Sequence, residues 1–336
     1  VEAKRIGKDA QQGAAQAKLY ADACERELGA RPVVFFTNGA EIYLWNDLPD
    51  RASSRPYGEP YRQVRGYYSK KSLDSLHSKH RNRLPLANIA PDLAIAGRTY
   101  QLEAVRTVCE HFSTNRRKAL IVQATGTGKT RVAVSLCDVL VRAGWVNRIL
   151  FLCDRKELRK QADGVFKQFM PDATRVIVRR ETASDLTKRF YLATYPAMMK
   201  CHEAFDIGFF DLVIADESHR SLYNTYRTLF QYFDALQVGL TATPVRDIER
   251  NTWKMFECEH RKPTSEFSYS EAISASPPYL SFFRVRNFRS ELHERGIKYR
   301  QLTDEQREQL EAQQDAPETV DYEPHEVGRS VFNKGS

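Results

Sequence analysis

At 336 residues, 42% apolar and 28% charged, the chain has room for more than one core and the composition of a globular protein, which excludes a disordered or fibrous chain. A formal net charge of +8 suits a polyanionic partner such as nucleic acid, although a merely basic surface would give the same balance. The six cysteines form no C-x-x-C pair and no zinc-spaced cluster with histidine, and no apolar run nears the length of a membrane span. Reduced cysteines, no membrane partner and a cytoplasmic location are expected.

Taken in chain order, residues 1–46 alternate. Val1–Lys4 reads as a short strand that turns Glu2 and Lys4 to the same side. A helix is expected over roughly Asp9–Leu28, then strands over 31–39 and 40–47 joined at Asn38-Gly39. The start at Val1, without Met, reads as a piece of a longer protein. Residues 51–96, with Pro56, Pro60, Pro85 and Pro91, read as a linker carrying a short helix. Its Arg62, Arg65, Lys70, Lys71, Lys79, Arg81 and Arg83, with Tyr67 and Tyr68, would either track DNA phosphates or form a solvated face.

From Arg98 to Pro244 short apolar runs at 119–123, 148–152, 175–178, 190–194, 211–215 and 237–243 alternate with helical stretches. That pattern predicts a parallel sheet buried on both faces, with ligands at the carboxyl ends of its strands. The motifs fall at those ends. Gln123–Thr130, "QATGTGKT", sits between a strand and a helix, the setting a phosphate loop needs. Thr125, Gly126, Thr127 and Gly128 would cradle phosphates, Lys129 would reach the β- and γ-phosphates, and the Thr130 hydroxyl would join Mg²⁺. A strict loop carries glycine where Gln123 stands.

The run at 211–215 leads into Asp216, Glu217, Ser218 and His219. Asp216 is the expected Mg²⁺ carboxylate and Glu217 the base that orients and deprotonates the attacking water. His219 would couple nucleotide state to the next motif, or be only a satisfied hydrogen-bonding group. That motif, "GLTATP", offers Thr241 and Thr243. Gln101, in "RTYQLEAV", would either read an adenine edge with its amide or be an ordinary surface glutamine. In "FLCDRKELRKQA", Asp154 and Glu157 suggest a capping box, while Arg155, Lys156 and Gln161 could approach a nucleic-acid backbone. Beyond residue 250 the pattern weakens; 303–315 reads as a polar surface helix.

Together RxYQ, ATGTGKT, DRKEL, ATY, DESH and TATP closely resemble the first motor domain of superfamily 2 helicases and translocases. "EAK" at residues 2–4, followed by Gln16 and Tyr20 four apart on one helix face, resembles the end of a PD-(D/E)xK nuclease domain. Nuclease followed by DExH motor is the order of the restriction (HsdR-type) subunit of type I restriction-modification enzymes. The resemblance implies an α/β fold: a RecA-like parallel-sheet motor preceded by a partial nuclease domain. Expected boundaries are 1–50 nuclease, 51–96 linker, 97–262 first motor domain, and 263–336 a connection to a second one. It further implies ATP and Mg²⁺ as cofactors, double-stranded DNA as substrate, and modification and specificity subunits as partners. Glu2 would bind the nuclease metal, Lys4 would sit beside the attacking water, and Gln16 and Tyr20 would support them. The family's upstream aspartate and second-domain arginine are not found in this sequence, so weak ATP turnover and doubtful cleavage are expected of this stretch alone. A DExH helicase of DNA repair or RNA remodelling with an accessory N-terminal fold, or a nucleotide-binding scaffold without turnover, would share the motor motifs.

Overall fold

The computed structural model describes residues 1–6, 8–48, 58–216, 226–242 and 252–282. The expected helix at 303–315, and with it Glu217, His219 and Thr243, lies outside the described residues. The chain divides into Val1–Leu280 and Ser281–Ser336, and everything below concerns the first unit.

Two sheets build that unit. The smaller has the order β1-β2-β3-β4, from Glu2–Ala3, Val34–Thr37, Ile42–Trp45 and Arg62–Val64. β1 runs parallel to β2, and the rest are antiparallel. Helix α1 (Ala14–Leu28) follows a tight turn of helix at Ala10–Gly13 that Asp9 caps by accepting from the Gln11 amide. It ends at Gly29, whose φ of 69° is the left-handed stop that glycine reaches most easily. The hairpin closes over four residues, since Thr37 pairs with Ile42. Asn38 shapes that turn by accepting from the amides of Ala40 and Glu41.

The sheet is buried on both sides by period-two alternation. Val34, Phe36 and Tyr43 pack under Ala10, Ala17 and Ala21 of the helical layer. Phe35, Leu44 and Val64 face the other way, onto Ile207. Part of the stretch expected to be a linker thus supplies β4, and helix α2 (Lys70–Asn82) supplies its short helix. The charges there separate accordingly. Arg65, Lys70, Lys71 and Arg81 are exposed, whereas Arg62, Lys79 and Arg83 enter ion pairs with Asp234, Asp211 and Glu59. These three are therefore withdrawn from the expected DNA-tracking face.

The larger sheet has seven strands, all parallel, in the order β11-β5-β10-β9-β6-β8-β7. The strands are β5 (Lys118–Gln123), β6 (Ile149–Cys153), β7 (Arg175–Ile177), β8 (Phe190–Thr194), β9 (Leu212–Ala215), β10 (Leu236–Thr241) and β11 (Ser265–Phe267). Helices α3 (Thr99–Ser113), α4 (Lys129–Arg142) and α5 (Lys156–Phe169) cover one face; α6 (Tyr195–Met199) and α7 (Arg227–Tyr232) lie on the other. Alternation along β5 explains the two layers: Ala119 and Ile121 join the first core, Leu120 and Val122 the second. Each such fully buried large apolar side chain contributes about 1.5–3 kcal/mol. This is the RecA-like α/β architecture expected of the motor.

Two local features differ from expectation. Helix α5 starts one residue late, with Arg155 at its N-cap and no side-chain cap bond. Asp154 instead pairs with Arg155 at 3.7 Å, so the Asp154–Glu157 capping box does not form. Strand β11, beyond the expected motor boundary at 262, pairs with β5 and completes the sheet. Its three residues show no periodic signal that sequence could register.

Candidate nucleotide and nuclease sites

The parallel registers bring the motifs to one end of the sheet. Thr241 lies opposite Val122, Gly239 opposite Ala215, and Ala215 opposite Leu152. Hence the phosphate loop after β5, Thr241 at the end of β10, Asp216 after β9 and Asp154 after β6 are neighbours along a single edge.

The loop is shaped by two glycines in left-handed backbone, Gly126 (φ 87°) and Gly128 (φ 89°), conformations that residues with a Cβ adopt only under strain. Thr127 between them is wholly buried. Its hydroxyl and amide both donate to the Ala124 carbonyl, at 2.7 and 3.3 Å. Its own carbonyl accepts from the Tyr100 hydroxyl at 2.6 Å and the Gln101 amide at 2.9 Å. The hydroxyl, amide and carbonyl of Thr127 are thus all engaged, by the loop itself or by α3. Its expected role as a phosphate contact becomes one of holding the loop's curve.

Gln101 is treated similarly. It is 1% exposed, its Nε2 holds Thr127, and its Oε1 accepts from the Arg98 amide at 3.4 Å. In this arrangement the side chain braces the loop, and no free edge faces an adenine. Thr125 and Gly126 are exposed, and Lys129 and Thr130 open helix α4. The Lys129 ammonium rests 3.4 Å from the Gln123 carbonyl. Gln123 is fully buried, and neither atom of its side-chain amide is bonded.

Asp216 is 8% exposed, anchored through its amide to the Leu152 carbonyl at 2.8 Å and through its carbonyl to the Tyr195 hydroxyl at 3.2 Å. Burial pushes the neighbouring Cys153 thiol up to about 12, and the charge of Asp216 adds to the effect. The Thr130 hydroxyl and the Asp216 carboxylate are hard oxygen donors of the kind Mg²⁺ takes, so the residues fit that ion.

At the far edge of the small sheet a second cluster assembles. Lys4 lies 3.1 Å from Glu2 and donates to Gln16 Oε1 at 2.7 Å; Gln16 Nε2 donates to the Tyr20 hydroxyl at 2.8 Å. Gly13 makes room for it, since a Cβ there would sit 3.4 Å from both Glu2 Cγ and Lys4 Cε. All four nuclease-like residues therefore meet, two from β1 and its end, two from one face of α1. Among the described residues no group of three or more His, Cys, Asp or Glu gathers here or elsewhere to hold a metal ion.

Residues 94–246 match the family model described as the type III restriction enzyme res subunit. The relatives of this segment include endonuclease subunits of type I restriction enzymes. The chain is 36% identical over 186 residues to the EcoAI endonuclease subunit of a type I restriction enzyme from Escherichia coli, covering 52% of this chain and 22% of that protein. It is 29% identical over 186 residues to the EcoKI endonuclease subunit from Escherichia coli K12, covering 44% and 15% respectively. A solved fragment described as an HsdR subunit from Vibrio vulnificus YJ016 is 26% identical, with a TM-score of 0.43, over 78% of this chain and 45% of that one. The chain thus spans 22% or less of these two curated relatives.

Around the phosphate loop, several supporting residues carry no signal in the sequence. Tyr100, next to Gln101 in "RTYQ", is one of them. Its ring stacks on Phe267 of β11 at 3.9 Å, and the Phe267 carbonyl accepts from the Ala124 amide at 3.0 Å. Leu280 closes on the loop from the same side, 3.2 Å from where a Gly126 Cβ would stand. Phe267 and Leu280 lie more than 130 residues beyond the loop in sequence, and no local pattern announces such pairing. Arg155 is exposed at the start of α5, pointing outward at the motif edge.

Proposed function

We propose that the chain is part of the ATP-dependent translocase-endonuclease subunit of a type I restriction enzyme. It would act in the cytoplasm on double-stranded DNA, with modification and specificity subunits as partners. The observation that carries this over a repair or RNA helicase is the Glu2–Lys4–Gln16–Tyr20 cluster in the same folded unit as the motor. An accessory fold has no need to bring a carboxylate, a lysine and a Gln–Tyr pair to one point.

On this reading Lys129 and the backbone amides of the loop bind the triphosphate, and Thr130 and Asp216 hold Mg²⁺. That ion would supply charge neutralisation at the phosphates. Glu217 orients and deprotonates the attacking water. Thr241 and Thr243, with His219, pass the state of the site to the DNA side, where Arg155 contacts the backbone. Gln101 keeps the loop in its binding curve. In the nuclease, Glu2 contributes a metal ligand and Lys4 stabilises charge developing on the scissile phosphate.

The test uses the full-length subunit with its partner subunits. Lys129→Ala should abolish DNA-stimulated ATP hydrolysis, and with it cleavage. Lys4→Ala should abolish cleavage while ATP hydrolysis continues. ATP hydrolysis indifferent to DNA would refute the motor, and undiminished cutting by Lys4→Ala would refute the nuclease assignment.

A further inference from the structure

The amino-terminal end of the parallel sheet, opposite the phosphate loop, carries a buried network of charges that neither site uses. Arg62, on the edge strand β4 of the small sheet, meets Asp234, just ahead of β10 in the large one. The contact is a two-pronged fork, Nε to Oδ1 at 2.7 Å and Nη2 to Oδ2 at 2.7 Å. Asp234 also accepts from Arg117, ahead of β5, at 3.0 Å and from the Tyr68 hydroxyl at 2.6 Å. Glu59 bridges the same two arginines, 2.9 Å from Arg62 and 3.3 Å from Arg117. Alongside, Lys79 of α2 pairs with Asp211 ahead of β9.

These side chains are only slightly exposed: 16% for Arg62, 15% for Glu59 and 8% for Asp234. An apolar seam runs beside them, Phe35, Leu44 and Val64 of the small sheet against Ile207, with Tyr68 and Tyr232 at its margin. Tyr68 lies flat on Gly208, where a Cβ would have no room. A buried ion pair adds little net stability compared with apolar residues of the same volume, because desolvation offsets the attraction. What an arginine fork on a carboxylate does supply is geometry, since two parallel bonds fix an angle as well as a distance. The seam alone would tolerate sliding; the fork does not.

We propose that Arg62 is a positioning residue for DNA cleavage, acting through Asp234 to hold the nuclease sheet at one angle on the base of the motor. The cleavage part of this rests on the proposed function above. The nuclease cluster sits on β1, three strands from the fork, so a loosened β4 lets the whole sheet rock and carries Glu2 and Lys4 with it. The motor's own chemistry is at the opposite end of its sheet and does not depend on the fork. Arg117 and Tyr68 still hold Asp234 when Arg62 is replaced.

Two readouts on the full-length subunit decide it. First, spin labels attached through azide-bearing residues at the exposed positions Leu19 and Ser184 report the angle between the sheets. A narrow distance distribution in the wild type should broaden in Arg62→Met. Second, Arg62→Met should lower DNA cleavage at least tenfold while DNA-stimulated ATP hydrolysis stays within twofold. Arg62→Lys should not restore cleavage, since a point charge cannot make the fork. Should Arg62→Met not fold, Tyr68→Phe, which deletes one bond to Asp234, gives the same two measurements with smaller changes. An unchanged distance distribution, or cleavage and hydrolysis falling in parallel, overturns the proposal. A wild type without either activity refutes the function instead, and the distance measurement still judges the joint.

Discussion

Gly128 is where the phosphate loop is most sensitive to a single methyl group. Alanine there meets two penalties. The backbone at φ 89° lies in the left-handed region, which costs a residue with a Cβ about 1–2 kcal/mol. The new Cβ would also stand 2.8 Å from Gln101 Nε2, so the amide must swing away and surrender its 2.9 Å bond to the Thr127 carbonyl. A buried hydrogen bond of this kind is worth about 1 kcal/mol. Gly128→Ala should therefore weaken nucleotide binding by about 2–3 kcal/mol, or about 30- to 150-fold in Kd. Gly126→Ala, equally left-handed but facing only the flexible end of Leu280, should lose less. The decisive variant is Gly128→Ala combined with Gln101→Ala. Gln101→Ala alone gives up the Thr127 bond, about 1 kcal/mol. In the pair that bond is already gone and the clash is relieved, so the double variant should bind no worse than Gly128→Ala by itself. Titration with a fluorescent ATP analogue and Mg²⁺ measures each Kd. Strictly additive losses would show that Gln101 and Gly128 do not meet, and the bracing role of Gln101 would fall with them.

Two further glycines predict opposite signs. A Cβ on Gly239 in β10 would press 2.6 Å from the Phe256 ring, so Gly239→Ala should destabilise the fold by about 1–3 kcal/mol in denaturant melts. Gly164 is exposed inside α5 with nothing within 4 Å of the added carbon, so Gly164→Ala should stabilise by about 0.5–1 kcal/mol; equal effects at the two sites would contradict the packing described. Acid should act through the buried charges. Burial opposes ionisation of Glu59, but the surrounding Arg62, Arg117, His80 and Arg83 win and hold it at about 2 rather than 4.5. Asp234 is likewise held well below the usual carboxylate range against its burial, chiefly by Arg62 and Arg117. Groups depressed in this way stabilise the fold fully above their unfolded values and lose that contribution as pH falls through the folded ones. Stability should hold from pH 7 to about 5 and then drop towards pH 2, with Glu59 accounting for at most about 3 kcal/mol of the fall. Urea midpoints across that range should be flatter in Glu59→Gln; a slope identical to the wild type would remove Glu59 from the network.

What could be read from the residues was whatever local chemistry dictates. The strand–glycine–lysine–helix run places Lys129 at the start of α4 as its spacing demands, and alternation around Glu2 and Lys4 sets both on one side of β1. Short continuous apolar runs located the strands of the large sheet because each had to bury both faces. The illegible parts have distant causes. β4 and β11 are three residues each, too short for a period, and exist because β3 and β5 offer edges to them. Arg62 looked like one more basic residue in a proline-rich stretch; only Asp234, 172 positions later, turns it inward. Thr127 and Gln101 have the composition of ligand contacts, and their inward turn follows from Tyr100 and the crowding of the loop, which sequence does not display.

Strand β11 also bears on where this polypeptide can be cut. A shorter piece ending ahead of Ser265 would strip the cover from Ile121, Val122 and Gln123. The bare amides and carbonyls of an apolar inner strand would then form an open border, ready to recruit a second molecule. Such a truncation keeps every recognisable motif and is the version most prone to precipitate.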